Sequence, residues 1–200
     1  MIIGALVAIV VIAGLVIAAA VEYDRRRKRA AFGPEYEALV EQEGSRRAAD
    51  KELGRRRRAY ANLALRPLAA QERDRYAQDW RQAQESFVDD PAAALNEAEA
   101  LVVRLARFRG YPGGDGEALL ELLSVPHAAS VSGYREAIQV RQATETDVRS
   151  TSTEDMRQAF QKYAALFDEM LAAAGRDEGR QESQSSDSVS ETATNMEVAR

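Results

Sequence analysis

The sequence predicts an all-α protein: an N-terminal transmembrane helix, a small multi-helix cytoplasmic domain and a disordered tail. Three observations predict it. Met1 to Val21 carry no charged side chain and consist almost entirely of Ile, Val, Leu and Ala. From Pro34 to Gly175, apolar residues recur at steps of three and four between Gly, Pro and Asp, the punctuation of amphipathic helices. Arg176 to Arg200 are rich in Ser, Glu, Gln and Asp, a composition that buries too little to offset ordering entropy. Nothing alternates long enough to be a strand, and no repeat of about 20 to 50 residues is present. The expected organisation is a transmembrane anchor at 1–21, a basic juxtamembrane linker at 22–33, a helical domain at 34–175 and an acidic, Ser-rich tail at 176–200.

At about 1.5 Å per residue, the first 21 residues span roughly 30 Å as a helix, the thickness of a bilayer's hydrocarbon core. Arg25, Arg26, Arg27, Lys28 and Arg29 follow directly. Cations beside an apolar span mark its cytoplasmic end. The expected topology is therefore single-pass in the plasma membrane, with the N-terminus outside and the domain inside. A cleaved signal peptide is the rival, with Ala18, Ala19 and Ala20 as its small-residue site. No Lys or Arg precedes the run, however, and the run exceeds the usual apolar region of about 7 to 15 residues. Gly4 and Gly14 lie too far apart to form a GxxxG face.

The chain has no cysteine, which excludes disulfides, thiolate metal sites and a Cys nucleophile. Its net charge of −5 hides an asymmetry. Glu22 to Leu68 hold 13 Lys/Arg against 8 Asp/Glu, a balance of +5. Ala69 to Arg200 hold 14 against 24, a balance of −10. An anionic leaflet attracts the first part and repels the second.

Pro34 suits the first turn of a helix that Gly44 ends, and Ser45 can cap the next. That next helix is expected from Arg46 to Asn62, thinly apolar through Ala49, Leu53, Tyr60 and Leu63. After the Leu65-Arg66-Pro67-Leu68 turn, Tyr76, Trp80, Ala83 and Phe87 share one face of a helix from Ala70 to Phe87. Asp90 as N-cap and Pro91 at the first position start another helix, closed by Gly110. Its wide apolar face, from Leu95 to Leu105, predicts a central position. A short Leu-rich helix stops before Pro126, and another runs from about Ala129 to Ala143. Ser152 and Asp155 form a capping box for the last helix. Met156, Phe160, Tyr163 and Phe167 keep its period to Gly175.

Candidate chemistry is sparse. His127 is the one histidine and follows Pro126 at a helix start, away from any polar cluster, so a structural role outweighs proton transfer. Asp89 and Asp90 lack the converging oxygens a hard cation needs. The glycines between Gly110 and Gly116 have neither the strand nor the Lys-Ser/Thr of a phosphate loop. No nucleophile elbow is present, and the sequence implies no catalytic residue, metal or cofactor. Arg55, Arg56, Arg57 and Arg58 admit three readings: a solvated helix face, a lipid-facing patch or a nucleic-acid contact. Four consecutive residues spread around a helix make a poor groove reader, so no nucleic acid is expected. With Arg25 to Arg29, these arginines are the expected contacts to anionic lipid headgroups.

Several segments resemble a family of actinobacterial single-pass membrane proteins of uncharacterised function, often labelled secreted. They are Phe32-Gly33-Pro34-Glu35-Tyr36, Arg66-Pro67-Leu68, Phe87-Val88-Asp89-Asp90-Pro91, Arg109-Gly110-Tyr111-Pro112 and Ser152 to Ala159. The resemblance spans roughly residues 1 to 172 and implies one N-terminal apolar segment and a helical domain. It carries no catalytic residues. The sequence thus points to a membrane-anchored interaction or scaffold protein with a protein partner. A ligand-binding or enzymatic domain with a dispersed site, and an outward-facing envelope protein, are the alternatives.

Overall fold

The computed structural model describes residues 35–113 and 116–198. Among the described residues the chain is all-α, with no strand. Residues 35–43 are the described part of α1. Then come α2 (Arg46–Ala61), α3 (Ala70–Ser86), α4 (Pro91–Arg109), α5 (Gly116–Leu123), α6 (Ala128–Thr146), a 3-10 turn (Val148–Ser150) and α7 (Thr153–Val198). The expected anchor, and with it Arg25 to Arg29, lies outside the described residues. Among the described residues no helix is long and apolar enough to cross a membrane.

Local chemistry sets most helix ends. Gly44 takes a left-handed φ of 69° between α1 and α2. Ser45 Oγ accepts from the Ala48 N–H, at 3.2 Å, and so caps α2. Asp90 caps α4 in the same way, accepting from the Ala93 N–H at 3.0 Å, with Pro91 at the first helical position. Gly110 ends α4 at φ 99°, where an added Cβ would stand 2.8 Å from the Ala64 carbonyl oxygen. Ser152 and Asp155 close the reciprocal box at the start of α7.

Residue periodicity sets the packing. Leu95, Ala98, Leu101, Val102 and Leu105 are all fully buried, so α4 is central as its sequence predicts. It packs on α3, α6 and α7, and α6 and α7 pack along each other. Trp80 stacks on Phe167 with ring centroids 4.5 Å apart and touches Phe160 at 5.2 Å. A smaller apolar cluster of Tyr36, Leu39, Ala49, Leu53 and Ala128 joins α1 and α2 to the start of α6.

Two expectations need correction. α6 begins at Ala128 and continues to Thr146, three residues past Ala143. The larger difference is α7. The sequence ends it at Gly175, yet the helix continues to Val198. Gly175 has no left-handed φ, unlike Gly44 and Gly110. Asp177 pairs with Arg109 at 2.7 Å and Glu178 with Arg73 at 2.9 Å, fixing the next turn to the bundle. Extending an existing helix costs far less than nucleating one, so polar residues follow.

Candidate functional site

The four consecutive arginines do not act as one patch. α1 and α2 form a hairpin that brings Arg56 back to Glu35. The buried Glu35 carboxylate accepts from Arg135 Nη1 at 3.0 Å and Nη2 at 3.1 Å, a bidentate pair. Arg56 Nη1 lies 3.5 Å from the same carboxylate. Arg56 Nε also donates to Glu52 at 2.9 Å, and Nη1 reaches Ser124 Oγ at 3.4 Å. Arg56 is therefore buried structure, not a lipid-facing cation. Arg55 is exposed but engaged: it donates to Glu52 at 2.6 and 2.7 Å and to Glu121 at 2.6 Å. The Arg55 guanidinium, aided by Arg56, holds the Glu52 carboxyl down at about 2.

Arg57 and Arg58 behave differently. Both are exposed, and neither has a carboxylate partner among the described residues. Arg46, Arg47 and Lys51 share that state. At about 100° per residue, these five cations fall within an arc of roughly 140° on the outer side of α2. The buried residues Ala49, Leu53 and Arg56 occupy the inner side. Gly54 sits within the same arc, where an added Cβ would stand 3.6 Å from Arg58 Nη1. The one acid there, Asp50, accepts a hydrogen bond from Tyr36 Oη at 3.1 Å.

Sequence reading had singled out the run at 55–58 and missed Arg46, Arg47 and Lys51. Their signal is the spacing 46/47, 51 and 57/58, which keeps one helix face. Arg55 and Arg56 leave the set because acids from α1, α2 and α5 claim them.

The other candidates resolve into structure. His127 is buried at the N-cap of α6, with Nδ1 3.6 Å from Glu169 Oε1. Ser130 Oγ donates to Glu169 Oε2 at 2.6 Å. The carboxylate thus stands between hydroxyl and imidazole, whereas an activated Ser needs the imidazole in the middle. Burial pushes the His127 pKa down. Among the described residues no group of three His, Asp or Glu could hold a metal.

A cleft of about 610 Å³ opens between α5 and α6. Arg56, Arg135 and Arg141 line it. Arg56 is held by Glu35 and Glu52, Arg135 by Glu35, and Arg141 by Glu99 and Glu145. No free cation of this set faces a ligand there.

The chain matches no family model, no curated protein and no solved structure. The basic face of α2 is thus read on its own chemistry.

Proposed function

We propose that this chain is a non-enzymatic, membrane-anchored helical scaffold whose α2 lies against the anionic cytoplasmic leaflet. One observation carries the reading. Five cations without carboxylate partners among the described residues share the outer face of α2, and the same helix touches Glu35 through Arg56. Glu35 is separated from the basic linker at 22–33 by Pro34 alone, so the hairpin brings α2 back toward the expected anchor. Arg46, Arg47, Lys51, Arg57 and Arg58 then extend the contact begun by Arg25 to Arg29. Each basic residue near such a surface contributes about 1 kcal/mol, decaying within a Debye length of roughly 8 Å. The acidic remainder faces a protein partner in the cytoplasm. A ligand-binding or enzymatic reading draws on the α5–α6 cleft, whose arginines are already neutralised by the protein's own acids.

The test uses a fragment beginning at Phe32, which lacks the first basic cluster. It is expected to bind anionic vesicles at low salt and to release them at high salt. Changing Arg46, Arg47, Lys51, Arg57 and Arg58 to Gln abolishes binding, while helicity by circular dichroism stays unchanged. A folded fragment that ignores anionic vesicles at low salt overturns the proposal.

A further inference from the structure

The α1–α2 hairpin has a core of its own. Tyr36, Leu39, Ala49 and Leu53 form a small apolar cluster to which the bundle contributes only Ala128. The main core instead runs through α3 to α7. Within the hairpin, Tyr36 Oη donates to Asp50 at 3.1 Å, and Arg56 lies 3.5 Å from Glu35 and 2.9 Å from Glu52. The last turn of α2 behaves differently. Ala59 and Tyr60 pack against the main core, with the Tyr60 and Tyr111 ring centroids 6.4 Å apart.

Beyond Ala128, polar contacts tie the hairpin to α5 and α6. Arg135 donates to Glu35 at 3.0 and 3.1 Å, and Arg56 Nη1 reaches Ser124 Oγ at 3.4 Å. Arg55 donates to Glu121 at 2.6 Å, with Arg56 3.8 Å from the same carboxylate. Breaking these contacts strands no charge on the hairpin. Glu35 leaves together with Arg56, and Arg55 and Arg56 leave together with Glu52. On the bundle side, the Arg135 and Glu121 side chains are already 37% and 30% exposed, so water takes over as their partner. Parting the main core instead brings the fully buried Leu95, Leu101, Leu105 and Phe167 into water. The hairpin therefore detaches at a lower free energy than the bundle unfolds.

The hairpin also covers a cavity. Its Gln42 and Arg56 form part of the wall of the α5–α6 cleft, together with Glu99, Arg135 and Arg141 of the bundle. We propose that the α1–α2 hairpin is a latched flap over this cleft. It swings out as one body about the last turn of α2, and the Glu35–Arg135 pair is its latch. Opening leaves the Arg135 fork in the cleft without its bidentate carboxylate, so Glu35 is the built-in occupant of a carboxylate site.

Native-state hydrogen exchange of the full-length chain in neutral-lipid nanodiscs tests this with no anionic surface to hold α2. Across a series of low denaturant concentrations, the amides of 35–58 are expected to exchange together, well before those of 95–105 and 160–170. Arg135→Gln removes the latch from the α6 side. It is expected to speed the 35–58 amides about tenfold or more and to leave 95–105 and 160–170 unchanged. Glu35→Gln should act alike, and the double variant should add little to either, because both remove one pair. The proposal falls if 35–58 exchange in step with the bundle core, or if 35–43 exchange alone while 46–58 stay protected, which is fraying. It falls equally if Arg135→Gln leaves 35–58 unchanged or speeds the bundle core by the same factor.

Discussion

Gly175 lies directly beneath the Arg73 guanidinium: a Cβ on Gly175 would stand 2.5 Å from Arg73 Nη1. That nitrogen reaches over to Glu178 at 2.9 Å. The glycine sits inside a helix, not at its end. Gly175→Ala is therefore expected to leave stability unchanged or raise it by up to about 1 kcal/mol, the helix-propensity gain. Arg73 is long and partly exposed, so it can move aside, and the pair it gives up is worth about 0 to 1 kcal/mol. A glycine ending the helix in a left-handed conformation predicts the opposite sign. A denaturant midpoint clearly lowered by Gly175→Ala sinks the continuous-helix account.

Removal of Arg56 is expected to be severe. The Glu35 carboxylate is buried and shared by Arg56 and Arg135. Glu35 keeps its bidentate Arg135, so the loss is that of buried hydrogen-bonding groups left unpaired around Arg56, about 1 to 3 kcal/mol. Arg56→Ala should thus lower the midpoint sharply, whereas Arg57→Ala should stay within about 0.5 kcal/mol as an exposed change. Similar midpoints for the two variants refute the division of the arginine run.

What was legible in the sequence, and what was not, follows from the range of each interaction. The α4 boundaries could be read because Asp90, Pro91 and Gly110 act on backbone within a few residues of themselves. Trp80 could be placed in the core because helical periodicity is local. The role of Arg56 could not, since Ser124 and Arg135 come from helices far along the chain. Gly175 looked like a stop because its holding partners, Arg73 and Arg109, lie on α3 and α4. The α2 face was legible in principle, but a run of consecutive arginines drew attention from the period that defines a face.

Trp80 tests the main core. It packs between Phe160 and Phe167, joining α3 to α7. Trp80→Ala should cost about 3 to 5 kcal/mol, a large share of a typical total of roughly 5 to 15 kcal/mol. An unchanged melting temperature shows that this packing is absent.

His127 gives the pH dependence its sign. Burial lowers its folded pKa from 6.5, outweighing the attraction of Glu169, and Arg109 and Arg176 push the same way as burial. The unfolded chain then binds the proton more readily than the folded one. The contribution is fully present above about pH 6.5 and is lost as pH falls through the folded value. Stability curves from pH 8 to pH 5 should decline for the native chain and decline less for His127→Gln. Parallel curves refute a buried neutral imidazole.

The end of α7 offers the last test, by truncation. Arg109 is buried, and its one carboxylate partner among the described residues is Asp177, at 2.7 Å. A chain ending at Glu178 keeps that pair and the Arg73–Glu178 pair. A chain ending at Gly175 loses both and leaves a buried guanidinium without its acceptor. An unsatisfied buried polar group costs about 1 to 3 kcal/mol, more when charged. Asp177 is partly exposed, and water can reach the vacated side, which keeps the loss inside that range. Urea unfolding of the two chains in parallel should give equal slopes and a lower midpoint for the chain ending at Gly175. Asp177→Asn in the longer chain should reproduce part of the loss, because the amide still accepts a hydrogen bond but carries no charge. Equal midpoints for the two truncations mean that the bundle ends at Gly175 after all, and that the turn beyond it adds nothing to the fold.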